Sequence, residues 1–133
     1  MDIVKNLFLK AKETRSHAYA PYSHFKVGAA ILADDNEIYT GCNVENASYP
    51  CGTCAETGAI AMMIAHGATQ IREILVIADS QELITPCGAC RQRIIEFSTP
   101  DTLVHLANFQ GIQKTLSISE LLPYSFNPEE LKK

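Results

Sequence analysis

The sequence contains no apolar stretch approaching the roughly 18 residues that a membrane span requires. It is also short of cations: 11 Lys and Arg stand against 15 Asp and Glu, for a formal charge of −4. Nucleic-acid binding needs clustered Lys and Arg, so this balance argues against a polyanionic partner. Met1–Ala20 has no apolar core of the signal-peptide kind, because Lys5, Lys10, Lys12, Glu13 and Arg15 interrupt it. The expected location is therefore cytoplasmic. Repeats, low-complexity tracts and linkers are missing too, and 133 residues suit one domain, 1–133, with one core.

Cysteine is the unusual presence. There are five, and an odd count without an export signal argues against a disulfide framework. In a reducing compartment thiols serve as metal ligands, catalytic groups or small core residues, and their spacing has to decide.

The chain alternates helix and strand patterns. Residues 2–19 carry Ile3, Val4, Leu7, Phe8 and Ala11 at helical intervals, until Pro21 breaks the pattern. Phe25–Ala33 and Glu37–Val44 read as two strands joined at a hairpin turn, Asp34-Asp35-Asn36. Gly28 marks a bulge or a close backbone approach in the first of them. A helix is expected from about Thr53 to His66-Gly67, then a buried strand at Ile74–Ala78. Another helix is expected from Pro86 or Cys87 to about Ser98, with Pro in its first turn. Leu103–Ala107 and Thr115–Ile118 read as strands, and Ser119–Leu122 and Pro128–Leu131 as helical turns. This order suggests an α/β fold, a three-layer α/β/α sandwich around one mixed sheet of about five strands.

Two segments carry the chemistry: Thr53-Cys54-Ala55-Glu56 and Thr85-Pro86-Cys87-Gly88-Ala89-Cys90-Arg91-Gln92, each at a helix start. Cys87 and Cys90 lie one helical turn apart, so both sulfurs can face one ion, and the helix dipole favours their thiolates. Cys54 can supply a third sulfur if the two helix starts face each other. Three protein ligands leave the fourth tetrahedral position of zinc open to water, as in catalytic sites. Glu56 is then close enough to move that water's proton without being a ligand. The bland alternative pairs Cys51-x-x-Cys54 with Cys87-x-x-Cys90 as a four-cysteine structural zinc knuckle, a non-catalytic interaction module. It leaves Glu56 and Pro86 unexplained. Otherwise Cys51 is a loop cysteine and Cys42 a small hydrophobe. His17, His24, His66 and His105 suit surface, capping or packing roles.

Cys54-Ala55-Glu56, followed about thirty residues later by Pro86-Cys87 and Cys90, resembles the zinc nucleoside and nucleotide deaminase signature. Ala20-Pro21-Tyr22-Ser23, Phe25–Ala30, Gly41–Ala47 and Leu121-Leu122-Pro123 are similar to the small homotetrameric cytidine deaminases. The resemblance implies hydrolytic deamination of cytidine, and of deoxycytidine, by zinc-bound hydroxide attack at C4. It implies zinc on Cys54, Cys87 and Cys90, with Glu56 as the proton shuttle. Phe25 would lie against the pyrimidine, and Asn43 and Glu45 would hold the ribose hydroxyls. The backbone of Ala55 would meet the ring carbonyl, and the Thr85 carbonyl would face the departing ammonia. Phe126 would reach into a neighbouring subunit of a homotetramer.

One position departs from the family. Where an Arg that hydrogen-bonds the thiolates is frequent, this chain has Thr57, so helix N-termini and Arg91 are expected to supply the compensating positive charge. A modified or antibiotic cytosine nucleoside, a free base, a nucleotide or a base in RNA are rival substrates. Asn43 to Asn46 favours a sugar-bearing one, and the acidic balance disfavours nucleotide and RNA.

Overall fold

The Asp2 carboxylate accepts a hydrogen bond from the Val4 N–H and so starts the first helix, α1 (Ile3–Arg15). The computed structural model describes residues 2–131. Ser16 ends α1, its hydroxyl donating to the Glu13 carbonyl at 2.6 Å, so the helix is shorter than the apolar pattern predicted. β1 (Val27–Ala33) and β2 (Ile38–Cys42) form the expected antiparallel hairpin, with Asn36 in the left-handed region at the turn. The chain then runs through a 3-10 turn (Tyr49–Cys51) into α2 (Ala55–Ala65), which His66 and Gly67 close. β3 (Ile71–Ala78), α3 (Gly88–Glu96), β4 (Ser98–Asn108), β5 (Gly111–Ser117), α4 (Ile118–Leu121) and α5 (Pro128–Leu131) complete the order.

The five strands form one mixed sheet, ordered β2-β1-β3-β4-β5, in which only β3 and β4 run parallel. β3 lies at its centre, and Ile74, Leu75, Val76 and Ile77 are all buried there. Alternate residues serve the two faces. On one, Ala29, Ile31, Ile74, Val76, Val104 and Leu106 pack with residues of α2, α3 and α4. On the other, Ala30, Leu32, Leu75 and Ile77 pack with Leu7 and Ala11 of α1. This is the expected three-layer α/β/α arrangement. Among the described residues no helix is long and apolar enough to cross a membrane.

Two glycines set how closely the layers approach. A Cβ on Gly28 would stand 2.2 Å from the Ala11 carbonyl oxygen of α1. A Cβ on Gly41 would stand 2.3 Å from the Ala59 nitrogen and 2.4 Å from the Ala55 carbonyl oxygen of α2. Gly28 is thus a close approach, and the sheet's bulge in β1 falls at Leu32/Ala33 instead.

Other boundaries also differ from expectation, β3 starting at Ile71 rather than Ile74 among them. Pro86 lies outside α3, because Cys87 takes the N-cap with extended backbone (ψ 167°). β4 starts at Ser98 rather than Leu103, since Ile71 already pairs with Ser98 before a register shift. Thr115–Ile118 widens to Gly111–Ser117 and stops where Ser117 caps α4 through a capping box with Glu120.

Candidate active site

Two isolated bridges build the site's frame. Val44 pairs with Thr53 through reciprocal N–H to carbonyl bonds of 2.9 Å, which folds the loop back and sets Cys54 beside the Asn43–Glu45 segment. Tyr19 pairs with the other side of that segment, donating to the Asn43 carbonyl and accepting from the Glu45 N–H. The start of α2 is thereby held against the loop that follows α1.

Cys54 is the N-cap of α2 and Cys87 the N-cap of α3, and neither spends its side chain on capping. Cys90 follows one turn into α3. The ligand atoms of Cys54, Cys87 and Cys90 lie within 4.8 Å of one another. Zinc–sulfur bonds of about 2.3 Å place tetrahedral sulfurs about 3.8 Å apart, so the cluster suits one zinc ion. The charge state agrees. Backbone N–H groups of Cys90 and Ala89 hold the Cys87 thiol below its ordinary range. Burial, with the negative charge of Glu56 and the neighbouring sulfurs, pushes Cys54 and Cys90 above theirs. A bound cation would offset the charge of three thiolates here. Cys51, exposed in the 3-10 turn with its sulfur 3.6 Å from the Ser48 hydroxyl, is no part of the cluster. The four-cysteine knuckle therefore does not form among the described residues.

Glu56, the second residue of α2, is 4% exposed. Burial pushes its carboxyl above the usual range, against the opposing pull of its own backbone N–H and the charge of Arg93. It lines a cavity of about 520 Å³ together with Asn43, Glu45, Cys54 and Ala55. Ala55 is the first residue of α2, where a backbone N–H has no partner within the helix.

Asn43 and Glu45 are held firmly. Asn43 accepts from the Val27 N–H at 2.9 Å and donates to the Phe25 carbonyl at 2.8 Å. One Glu45 oxygen accepts from the Tyr22 and Ser23 N–H groups and the other from the Ser23 hydroxyl, which holds its carboxyl below the usual range. Each side chain keeps spare capacity: a second amide proton on Asn43, and free lone pairs on Glu45.

The remaining sequence candidates stand outside this cavity's walls. Phe25 is 38% exposed and tied to the site by its backbone, its N–H donating to the Ser23 hydroxyl. Thr85 is exposed, its hydroxyl accepting from Arg91 at 2.9 Å. Phe126 is 58% exposed, and its carbonyl accepts from Gln92. Sequence reasoning gave no role to Ser23 or to Tyr49. Tyr22 and Tyr49 also line the cavity, edge to face with ring centroids 6.4 Å apart. The short turn between Pro21 and Phe25 was the available signal for Ser23.

The expected charge compensation is corrected. Arg91 is spent on the carbonyls of Pro86 and Leu121 and on the Thr85 hydroxyl. Arg93 is the arginine that reaches a ligand, with Nη1 3.9 Å from the Cys90 sulfur. The Thr57 hydroxyl is buried without any hydrogen-bond partner.

A family model described as the cytidine and deoxycytidylate deaminase zinc-binding region matches residues 1–106. A cytidine deaminase of Sporosarcina psychrophila is 42% identical over 131 residues, 98% of this chain and 96% of that protein. One of Mycobacterium tuberculosis is 33% identical over 121 residues, covering 91% and 87%. The crystal structure of a cytidine deaminase from Burkholderia pseudomallei superposes with a TM-score of 0.88 at 44% identity, covering 95% of this chain and 100% of that one.

Proposed function

The chain belongs to the cytidine and deoxycytidylate deaminase family, and from that premise we propose that it is a zinc-dependent hydrolase converting cytidine, and deoxycytidine, to the uracil nucleoside and ammonia. One observation carries the reading. The wall that presents Asn43 and Glu45 also presents Glu56 and Cys54, and the Cys54 sulfur converges with those of Cys87 and Cys90.

Cys54, Cys87 and Cys90 would hold the zinc, which when bound supplies a Lewis acid that acidifies a water at its fourth position. Glu56 takes both protons of the attacking water in turn, delivering one to ring N3 and one to the 4-amino nitrogen, so that the C4–N bond breaks, ammonia departs and the C4 carbonyl forms. Its raised affinity for protons suits a group that must carry one between two such weak acids. Asn43 and Glu45 use their free proton and lone pairs to bind the ribose hydroxyls. The Ala55 N–H, pointing from a helix start, donates to the ring carbonyl. Phe25 flanks the base, and the Thr85 carbonyl, steadied by Arg91, accepts from the leaving ammonia.

The chain assembles as a homotetramer whose subunits complete one another's sites. Phe126 is exposed and outside its own chain's cavity, and α2 leaves Met62 and Ile64 at 42% and 41% exposure. All five cysteines are free, which suits the cytoplasm. Incubation with cytidine, followed by the ultraviolet shift to uridine, tests the activity. Turnover that a zinc chelator abolishes and added zinc restores is the expected result. A fully zinc-loaded protein that leaves cytidine unchanged contradicts it.

A further inference from the structure

The ligand cluster concentrates negative charge. Three thiolates around a divalent cation leave one net negative charge, and an ionised Glu56 adds another. Cys54 is half-buried and Cys87 exposed, but Cys90 is 1% exposed and Glu56 4%, so water screens the charge poorly on the Cys90 and Glu56 side. Backbone N–H groups of Ala89 and Cys90 compensate the Cys87 sulfur, which leaves the buried Cys90 sulfur as the one that a nearby cation can serve. Thr57 stands one turn after Cys54, but its unpartnered hydroxyl donates to no sulfur. Arg91 is consumed by Pro86, Leu121 and Thr85. Arg93 stands three residues after Cys90, on the same face of α3, with Nη1 3.9 Å from that sulfur. Its charge also acts on Glu56. Among the described residues no other Lys or Arg side chain donates to a ligand sulfur.

We infer that Arg93 is a positioning residue for the metal, its guanidinium neutralising part of the excess charge on the thiolate cluster and so setting how tightly the chain holds zinc. The inference rests on the reading of Cys54, Cys87 and Cys90 as the zinc ligands. Arginine suits this role because its charge is permanent and its several N–H groups can serve a sulfur and a carboxylate together. Arg93 is itself exposed, so salt should weaken its influence.

The test is competition for zinc between the protein and a chromogenic chelator, at fixed pH and low salt, for wild type, Arg93→Gln, Arg93→Lys and Lys5→Gln. Unfolding of each zinc-free protein serves as the control for folding. Arg93→Gln should raise the zinc Kd on the order of 10-fold, with zinc-free stability little changed. Arg93→Lys should fall between the two. Lys5→Gln removes the same charge from an exposed position on α1, across the sheet, and should bind as wild type does. If Arg93→Gln does not fold, Arg93→Met keeps the aliphatic stem and replaces it with the same expectation. An unchanged Kd in the charge-removing variant, or an equal loss in Lys5→Gln, overturns the inference. The zinc reading fails separately, and the inference with it, if wild type holds no zinc or if Cys87→Ala holds it as tightly.

Discussion

At the scale of single residues, the site divides into groups that act and groups that hold them. Glu56 acts. Replacing it by Gln keeps size and hydrogen-bonding shape but removes the proton carrier, so zinc content and fold should persist while kcat falls by several orders of magnitude. Retention of about a tenth of the wild-type kcat would remove Glu56 from the mechanism. Ser23 holds: its hydroxyl and N–H, with the Tyr22 N–H, keep Glu45 ionised below the usual carboxylate range. Because the folded carboxyl has a depressed pKa, its charge-dependent contribution is complete above the unfolded value and is lost as pH falls through the folded one. Ser23→Ala should therefore bring the acid-side rise in KM for cytidine to higher pH than in wild type. A pH profile of KM that does not move would show that Ser23 does not tune Glu45. The two arginines show how sequence can mislead at this scale. Arg91 adjoins Cys90 in the chain, yet helical geometry turns it toward Thr85 and Leu121, whereas Arg93, at a spacing of three, lies on Cys90's face. The interval of three was legible, and proximity in sequence was the wrong guide.

At the scale of elements, the thiol cluster depends on two helix starts brought together. The N-caps Cys54 and Cys87 meet because α2 packs on β2 and β1 while α3 follows β3, the strand on the other side of β1. Gly41 is where α2 touches β2 backbone to backbone, so Gly41→Ala must push the helix outward. A cost of about 1–3 kcal/mol in stability is expected from such overpacking, with reduced zinc occupancy because Cys54 moves with the helix. Denaturant unfolding and metal analysis of the variant check both, and an unchanged stability would mean that α2 yields without strain. The hairpin, the buried central strand and the cysteine-bearing helix starts were legible because local patterning and turn chemistry agree there. The 3-10 turn at Tyr49–Cys51 and the early start of β4 were not. The turn is fixed by the Val44–Thr53 bridge and the strand start by pairing with Ile71, both contacts that no local window contains.

At the scale of the whole molecule, one chain supplies the three clustered thiols and the Asn43–Glu45 wall of the cavity but leaves Phe126 outside it. The proposed homotetramer would account for this, and sedimentation should then give about four times the 14.6 kDa chain mass at working concentration. A fully active monomer would contradict shared sites. Every scale depends on the three sulfurs holding one ion while Cys51 stands aside. Zinc per chain, measured on purified wild type, Cys51→Ala and Cys87→Ala, tests this most directly. Wild type and Cys51→Ala should each carry a single zinc and turn over cytidine, and Cys87→Ala should carry none. Loss of zinc from Cys51→Ala to the same extent as from Cys87→Ala would mean a four-cysteine structural site and contradict the catalytic three-thiolate centre.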